Sequence, residues 1–227
     1  MTGAFKITTD VYCVGGSGVS SSGDCMVYLI DTEKDQLILV DAGLTNPELI
    51  IKNVESLGFE ARRIAHHIIT HSHVDHIGNS ARLKKMLKFK IYAHEPDTKT
   101  IETGGPETGA SLYNVPYEPV KVDVKLTKPM DVFAIGKHNI KIMHIPGHTP
   151  GGVCPFVDIG GERTIFAQDV HGPLFEEFGS SRMDFVDSLK KERDLNAEIL
   201  CEGHFGVIKG KEKVRKYIEG YISEFSR

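Results

Sequence analysis

The segment His71-Ser72-His73-Val74-Asp75-His76 constrains this chain more than any other, because it places four side chains that commonly bind metals within six residues. His71 and His73 are two positions apart, so on an extended segment their side chains point to the same side. After the chain turns, Asp75 and His76 can face a second point close to the first. Neutral imidazole and carboxylate ligands suit zinc and similar divalent metals. The spacing therefore predicts two metal ions side by side rather than one.

The residues on either side of this segment predict that the ligands lie on a loop between a strand and a helix. Residues 64–70 form a short run rich in apolar side chains, which is typical of a buried strand. A helical pattern begins shortly after Gly78. Loops held by a rigid scaffold are a usual place for chemistry. A histidine-rich loop that binds no metal is the alternative interpretation.

Three further positions repeat the arrangement of an apolar strand that ends in a potential ligand. His148 follows an alternating strand and lies among prolines and glycines that force a sharp turn. Asp169 and His204 each end a short apolar run. Taken singly, each is also explained as an ordinary turn residue. Because open α/β sheets gather ligands at the carboxyl ends of their strands, we expect these side chains to join the histidine cluster.

Together these motifs resemble those of the metallo-β-lactamase superfamily, in the family's order and over nearly the whole chain. The motifs that carry the resemblance are Val40-Asp41-Ala42-Gly43, the cluster from His71 to His76, Gly147-His148-Thr149-Pro150-Gly151, Asp169 and Gly203-His204. The resemblance implies an α/β fold, a four-layer αββα sandwich of metallo-β-lactamase type. It also implies that residues 1–227 form one such domain.

The resemblance implies a metal-binding role for several of these residues. The first ion would be bound by His71, His73 and His148, the second by Asp75, His76 and His204, and Asp169 would bridge the two. The implied cofactor is a pair of divalent ions, with zinc favoured and iron or manganese as alternatives. Asp75 would in addition act in catalysis. Asp41 resembles the family's carboxylate that orients the site without binding metal, although a turn residue at a strand end is the alternative.

The closest resemblance is to the glyoxalase II group, through Thr70 and the histidine cluster together with Asp169. It implies a hydrolase in which a hydroxide held by two metals cleaves a thioester or a related carboxylic ester. We expect the chain to lack the C-terminal extension that binds glutathione in that group. The identity of the thiol in the thioester substrate is therefore not determined. A lactonase, a phosphodiesterase or phosphotriesterase, and a mono-iron persulfide dioxygenase are the alternatives. A true β-lactamase is not favoured, because those enzymes usually lack the bridging aspartate.

Three residues outside the ligand motifs are predicted substrate contacts. His171 lies two positions after Asp169, close enough to face the same pocket. Tyr113 and Tyr117 lie in residues 104–117, which we interpret as a long irregular connection between the two halves of the chain. Aromatic anchoring of this connection is the alternative explanation for both tyrosines.

Composition limits the partners that the chain is expected to bind and the cellular compartment in which it is expected to act. The net charge of −4 over 227 residues provides no general attraction to nucleic acid. No apolar run approaches the length of a membrane span, and no signal peptide is evident. The four cysteines form no CxxC pair and are expected to be reduced and structural. We therefore predict a cytoplasmic protein that acts on a small molecule without a membrane or nucleic-acid partner, and homodimerisation stays open.

Overall fold

The computed structural model describes residues 3–33, 36–167 and 169–227, and its first seven strands form one sheet in sequence order. These strands are β1 Phe5–Lys6, β2 Val11–Gly15, β3 Val27–Asp31, β4 Leu37–Val40, β5 Ile64–Ile68, β6 Lys90–His94 and β7 Val124–Leu126. The strands β1 to β4 pair antiparallel, whereas β4 to β7 pair parallel. Gln168, within the run predicted to end at Asp169, lies outside the described residues.

The remaining six strands form a second sheet in the order β13-β12-β11-β10-β9-β8. They are β8 Met130–Ile135, β9 His138–His144, β10 Val153–Ile159, β11 Glu162–Phe166, β12 Ile199–Cys201 and β13 Val207–Lys209. All neighbours are antiparallel except β11 and β12, which are parallel. The helices are α1 Pro47–Ser56, α2 Val74–Ile77, α3 Ser80–Leu87, α4 Glu95–Thr103, α5 Ala110–Tyr113, α6 Arg182–Asp194 and α7 Lys211–Phe225.

Three apolar cores separate four layers. The first core lies between the first sheet and its outer helices and includes Ile50 of α1. The second lies between the two sheets, and the third lies between the second sheet and the helices α6 and α7, where Phe185 and Ile218 are buried. This arrangement confirms the predicted αββα sandwich.

Alternation along the strands explains how one segment serves two cores. On β4, Leu37 and Leu39 contribute to the outer core, whereas Ile38 and Val40 contribute to the core between the sheets. Successive side chains of a strand point to opposite faces, so a strand covered on both sides must be apolar at every position. The continuous apolar run at β4 is therefore the sequence signature of a central strand.

Local sequence signals explain two of the helices. The Asn46 side chain caps α1 by accepting from the Leu49 amide at 3.2 Å, and Pro47 occupies the first turn. The apolar stripe of α7 packs on the third core. All four cysteines are buried and unpaired. Among the described residues, no helix combines the length and the apolar character that crossing a membrane requires.

The connection over residues 104–117 differs from the prediction. It contains a 3-10 turn, Pro106–Thr108, and the short helix α5, so it is not irregular throughout. It also does not join the two halves of the chain, because the strand that follows it, β7, pairs with β6 in the first sheet. The halves meet after Leu126 instead. Helix α6 begins at Arg182, where the Ser181 side chain caps it by accepting from the Asp184 amide.

Glu192 of α6 is a fully buried carboxyl group beside Cys154, and its Oε1 atom has no hydrogen-bond partner among the described residues. Burial raises the pKa of Glu192 from 4.5 to about 8. Between these two values the folded protein keeps a proton that the unfolded chain releases. The contribution of Glu192 to stability is therefore complete below pH 4.5 and is lost as the pH rises through about 8.

We expect Glu192→Gln to flatten the pH dependence of the free energy of unfolding between pH 4.5 and about pH 8, measured by urea denaturation. One proton corresponds to a slope of about 1.4 kcal/mol per pH unit, which sets the largest change that the substitution can cause. Glu212→Gln, at an exposed carboxylate on α7, is the control and should keep the wild-type slope. An unchanged slope in Glu192→Gln would show that this carboxyl group is ionised in the folded protein.

Candidate metal centre

A first group of potential ligands forms where the loop after β5 meets the loop after β9. The ligand atoms of His71, His73, His148 and Asp169 all lie within 4.8 Å of one another. The His71 Nε2 and His73 Nδ1 atoms are 3.1 Å apart, and His148 Nε2 is 3.5 Å from Asp169 Oδ2. All four residues are buried. This spacing surrounds a point that a single ion can occupy.

A second group lies directly beside the first. His73 precedes α2, and the single turn of that helix projects Asp75 and His76 toward His204, which follows β12. The His204 Nε2 atom is 3.2 Å from Asp75 Oδ2 and 3.4 Å from His76 Nε2. The loop between the strand and α2 thus contributes ligands to both groups.

Asp169 lies between the two groups and contacts both. Its Oδ1 atom is 3.2 Å from His76 Nε2, and its Oδ2 atom is 3.3 Å from His204 Nε2 as well as near His148. A single carboxylate in this position can share its two oxygens between neighbouring ions. The structure therefore brings together all the residues for which the sequence predicted a ligand role.

The donor set of the first group fits a divalent metal. Burial, together with the neighbouring histidines, lowers the pKa of His71 well below its usual value and the pKa of His73 to about 3. These imidazoles are therefore neutral, as metal ligands must be. The Nε2 atom of His148 is buried without a hydrogen-bond partner among the described residues. A buried nitrogen of this kind is costly unless it binds something, and a cation would satisfy it.

The second group is more strongly charged. Burial opposes the ionisation of Asp169, but the neighbouring histidines outweigh it and hold its pKa well below the usual range. Burial likewise opposes the positive charge of His204, yet hydrogen bonds to Asp169 and Asp75 raise its pKa to about 10. Burial also opposes the positive charge of His76, but Cys25 and then the carboxylates of Asp169, Asp41 and Asp75 outweigh it and raise the pKa of His76 well above its usual value. The second group thus places negatively charged carboxylates around a point at which they stabilise a positive charge.

Asp41 lies behind the second group of potential ligands and forms hydrogen bonds with Thr70 and His76. It follows β4 in a left-handed conformation (φ 59°), which aims its carboxylate at the loop after β5. Its Oδ1 atom accepts from the Thr70 amide at 2.8 Å. Its Oδ2 atom accepts from the Thr70 hydroxyl at 2.7 Å and from His76 Nδ1 at 2.8 Å. These bonds hold the His76 ring so that Nε2 faces the second group.

We expect Asp41→Asn to weaken binding of the second metal by roughly 10- to 100-fold, because an amide cannot accept from both Thr70 and His76 as the carboxylate does. Metal content after dialysis against graded chelator measures the effect. Asp10→Asn is the matched control, since Asp10 also binds a histidine, His138 Nε2 at 3.0 Å, but lies outside the ligand groups. Equal metal retention in both variants would show that Asp41 does not orient the site.

Asp97 of α4 was not predicted from the sequence, yet it joins two of the ligand loops. Its buried carboxylate accepts from the Ser72 amide at 3.0 Å, the Thr149 hydroxyl at 2.7 Å and the Gly151 amide at 2.7 Å. It thereby fixes the loop of His71 and His73 relative to the loop of His148. No sequence motif surrounds Asp97. Its role is evident only from its hydrogen bonds to residues that are distant in the sequence.

Glu202 and His171 form a second unpredicted link. Glu202 is fully buried, and its Oε2 atom accepts from the amides of His204 at 2.6 Å and Phe205 at 2.7 Å. Its Oε1 atom contacts His171 Nδ1 at 2.8 Å. With Nδ1 occupied, the Nε2 atom of His171 is left to face other groups. The carboxylate directly before Gly203-His204 was the available sequence signal for Glu202.

A cavity of about 210 Å³ opens onto the ligands. Its lining combines His73, Asp75, His148 and Asp169 with the apolar side chains of Leu112, Pro173, Phe175 and Phe178. Tyr113 also lines the cavity, and burial followed by the adjacent Asp75 carboxylate raises the pKa of Tyr113. Tyr117 is placed elsewhere: its hydroxyl donates to the Ile101 carbonyl at 2.9 Å and its ring packs on the first core. The anchoring alternative therefore describes Tyr117, and a substrate contact there is not supported.

Comparison with known proteins identifies the family. The family model described as the metallo-beta-lactamase superfamily matches residues 22–204. The chain belongs to this superfamily. The match contains Asp41 and every residue of the two ligand groups, so the resemblance inferred from the motifs is confirmed.

Relatives in the metallo-beta-lactamase superfamily include named hydrolases. The chain is 28% identical over 156 residues to hydroxyacylglutathione hydrolase GloC of Haemophilus influenzae, covering 68% of each protein. It is 25% identical over 218 residues to the human acyl-coenzyme A thioesterase MBLAC2, covering 84% of this chain and 76% of that one. An uncharacterized protein of Aquifex aeolicus is 26% identical, and the alignment spans 64% of its length. These relatives support an enzyme of hydrolase type.

Solved structures of metallo-beta-lactamases share the fold along the whole chain. A HARLDQ-motif mutant of the enzyme from Cronobacter sakazakii aligns with a TM-score of 0.84 at 23% identity and covers 100% of this chain and 96% of that one. FEZ-1 of Legionella gormanii aligns with a TM-score of 0.83 at 20% identity, covering 99% and 94%. At such identities the likeness concerns the fold alone.

Proposed function

We propose that this protein hydrolyses thioesters of apolar carboxylic acids at a centre that binds two divalent metal ions, most simply zinc. The observation that carries the proposal is the cavity whose lining combines apolar side chains with the ligand residues. An acyl group can pack on Phe175, Phe178 and Leu112 while its carbonyl carbon lies against Asp75 and Asp169. The relatives named as thioester hydrolases support this choice over a lactone or a phosphodiester.

The chain's own residues account for much of the reaction. Divalent ions held by the two groups would supply Lewis-acid polarisation and water activated at neutral pH. Asp75 is positioned to orient that water and to accept its proton, because its Oδ2 atom faces His204 at the junction of the two groups. The water oxygen bonds to the carbonyl carbon, the carbon–sulfur bond breaks, and the thiol leaves with a proton. Tyr113, beside Asp75, is positioned to donate a hydrogen bond to the substrate.

Metal analysis and a substrate panel test the proposal. We expect about two zinc, iron or manganese ions per chain. We also expect thioester hydrolysis to exceed hydrolysis of a lactone, a phosphodiester and a β-lactam by at least about tenfold in kcat/KM. If each chain binds one iron ion and consumes oxygen when a persulfide is added, the protein is instead a persulfide dioxygenase. Preference for the lactone or the phosphodiester would replace the thioester proposal while keeping the metal centre.

His171 offers a sharper test of substrate contact. Its Nδ1 atom is held by Glu202, and its ring centroid lies 5.3 Å from that of His204. We expect His171→Ala to lower kcat/KM for the thioester by roughly 10- to 100-fold, as for loss of a positioned polar group, while metal content stays near wild type. His138→Ala is the control, since His138 also binds a carboxylate but, unlike His171, does not lie against His204. Neither histidine is among the residues that line the cavity. Loss of metal in parallel with activity would make His171 a ligand.

A further inference from the structure

The cavity at the metal centre is too small for a whole thioester with a large thiol carrier. Pockets that enclose drug-sized ligands typically measure about 300–1,000 Å³, whereas this cavity has about 210 Å³. It suits the acyl group and the reacting carbon. If the proposed thioesterase activity holds, the thiol carrier must therefore lie against another surface that begins at the ligands.

Such a surface follows the ligand His204 directly. A trough of about 660 Å³ runs along α7, with an apolar floor and side formed by Phe205, Ile208, Tyr217 and Tyr221. Phe205 is 65% exposed, and its ring centroid is 4.7 Å from that of His171. The Tyr217 and Tyr221 rings are 5.2 Å apart and lie one turn from each other on α7. The trough thus offers aromatic rings that begin beside the metal centre.

Lysines surround one end of the trough. Lys213 and Lys216 line it, and Lys6 and Lys209 line an adjoining depression that shares Ile208 and Lys213 with it. None of these lysines forms an ion pair with a carboxylate of the described residues, in contrast to Lys137 and Lys211. The one acidic residue of the trough, Glu224, lies eleven residues beyond Lys213, or about 16 Å along the helix. The end near Phe205 is therefore locally cationic in a chain whose net charge is −4.

Gly220 keeps the trough open. A glycine inside a helix costs roughly 1 kcal/mol relative to alanine. Packing does not require it here, because a Cβ atom at Gly220 would meet nothing within 4 Å. Its backbone also lacks the positive φ that favours glycine at other positions of this chain. The absent side chain leaves a gap between the turns that carry Tyr217 and Tyr221.

We infer that this trough binds the phosphorylated, adenine-bearing carrier of a coenzyme A-type thioester. The lysines match its phosphates, and the aromatic rings match the flat face of the base and the apolar parts of the pantetheine arm. Glutathione has neither a phosphate nor an aromatic base, so it would gain nothing from the lysines or the aromatic rings of the trough. In the bound thioester, the acyl group lies in the cavity on one side of the ligands, and the carrier extends along α7 on the other side.

Thioesters with one acyl group and different carriers test the inference. We expect kcat/KM for the coenzyme A thioester to exceed that for the N-acetylcysteamine and glutathione thioesters by at least about tenfold. The double variant Lys213→Glu/Lys216→Glu should lower only the coenzyme A value, by about tenfold or more. Lys190→Glu/Lys191→Glu makes the same charge change on α6, outside cavity and trough, and should keep the preference. Equal values for all carriers, or an equal loss for all, would overturn the inference.

Two further arms separate the trough from the catalytic proposal. Gly220→Leu fills the gap on a helix that tolerates it, so the coenzyme A preference should fall while thermal stability is kept. Calorimetric binding of adenosine 3′,5′-bisphosphate requires no turnover and should be lost in Lys213→Glu/Lys216→Glu. Binding without hydrolysis of any thioester would refute the proposed function alone, and hydrolysis without binding would refute the trough alone. Tighter binding of a short single-stranded oligonucleotide than of the bisphosphate would assign the trough to nucleic acid and also overturn the inference.

Discussion

Replacing Asp169 with alanine is expected to reduce thioester turnover by about a thousandfold or more and to lower the metal content from two ions to one. Among the residues that the structure describes, Asp169 is the one whose oxygens lie within 3.2–3.5 Å of histidine nitrogens from both groups. Without it, His76 and His204 face one carboxylate fewer, and the two ions have no shared ligand. Metal analysis of the dialysed protein and steady-state kinetics with added zinc measure the two effects.

In the same experiment, Asp169→Asn distinguishes the effect of the charge of the Asp169 side chain from the effect of its shape. The amide fills the same space but carries no charge, so we expect weak binding of the second ion and partial recovery of turnover at high zinc concentration. Thermal denaturation of each variant with chelator present reports whether the fold itself persists. Full activity of Asp169→Ala with two bound ions would refute the bridging role.

Replacing Gly203 with alanine is expected to have a comparable effect, although this residue carries no functional group. A Cβ atom at Gly203 would lie 2.2 Å from Asp169 Oδ1 and 3.3 Å from His76 Cε1. Such an approach is impossible, so either the loop of His204 or the Asp169 carboxylate must move. We expect loss of the second ion and a fall in turnover of at least about a hundredfold, since displacements of about 1 Å at a site have effects of this size.

Gly105→Ala is the matched control for this steric effect. A Cβ atom there would also approach a carboxylate oxygen closely, Glu107 Oε2, at 2.3 Å. That oxygen is the far end of a flexible side chain outside both ligand groups, so it can move at little cost. We expect wild-type metal content in Gly105→Ala. Two bound ions in Gly203→Ala would show that the His204 loop can shift without disturbing the cage.

The pattern of apolar strands that end in ligand-type residues was sufficient to predict the fold family and the residues of both groups. The reason is physical: the ligands must follow strands that run to one edge of the sandwich, and this leaves each of them beside a recognisable apolar run. The apolar run at β4 and the capped start of α1 also have local causes, because burial on both faces and N-capping act on neighbouring residues.

Residues that act through distant partners escaped prediction. Asp97 contacts the loops of Ser72 and Thr149, and Glu202 contacts His171, 31 residues away in the chain. Tyr113 and Tyr117 are four positions apart and looked equivalent, yet the helix α5 directs one to the cavity, whereas the other is bound by Ile101. Sequence spacing contains no information on such contacts.

The sequence by itself determined the αββα family and which residues form the two groups of potential ligands, since the motifs that carry the resemblance are short-range patterns of apolar and coordinating residues. Only the tertiary structure decided which side chains hold those ligands in place, which tyrosine reaches the cavity, and that a trough with lysines continues from His204 along α7. These features arise where segments far apart in the chain pack together, and the packing is a property of the whole fold rather than of any local segment.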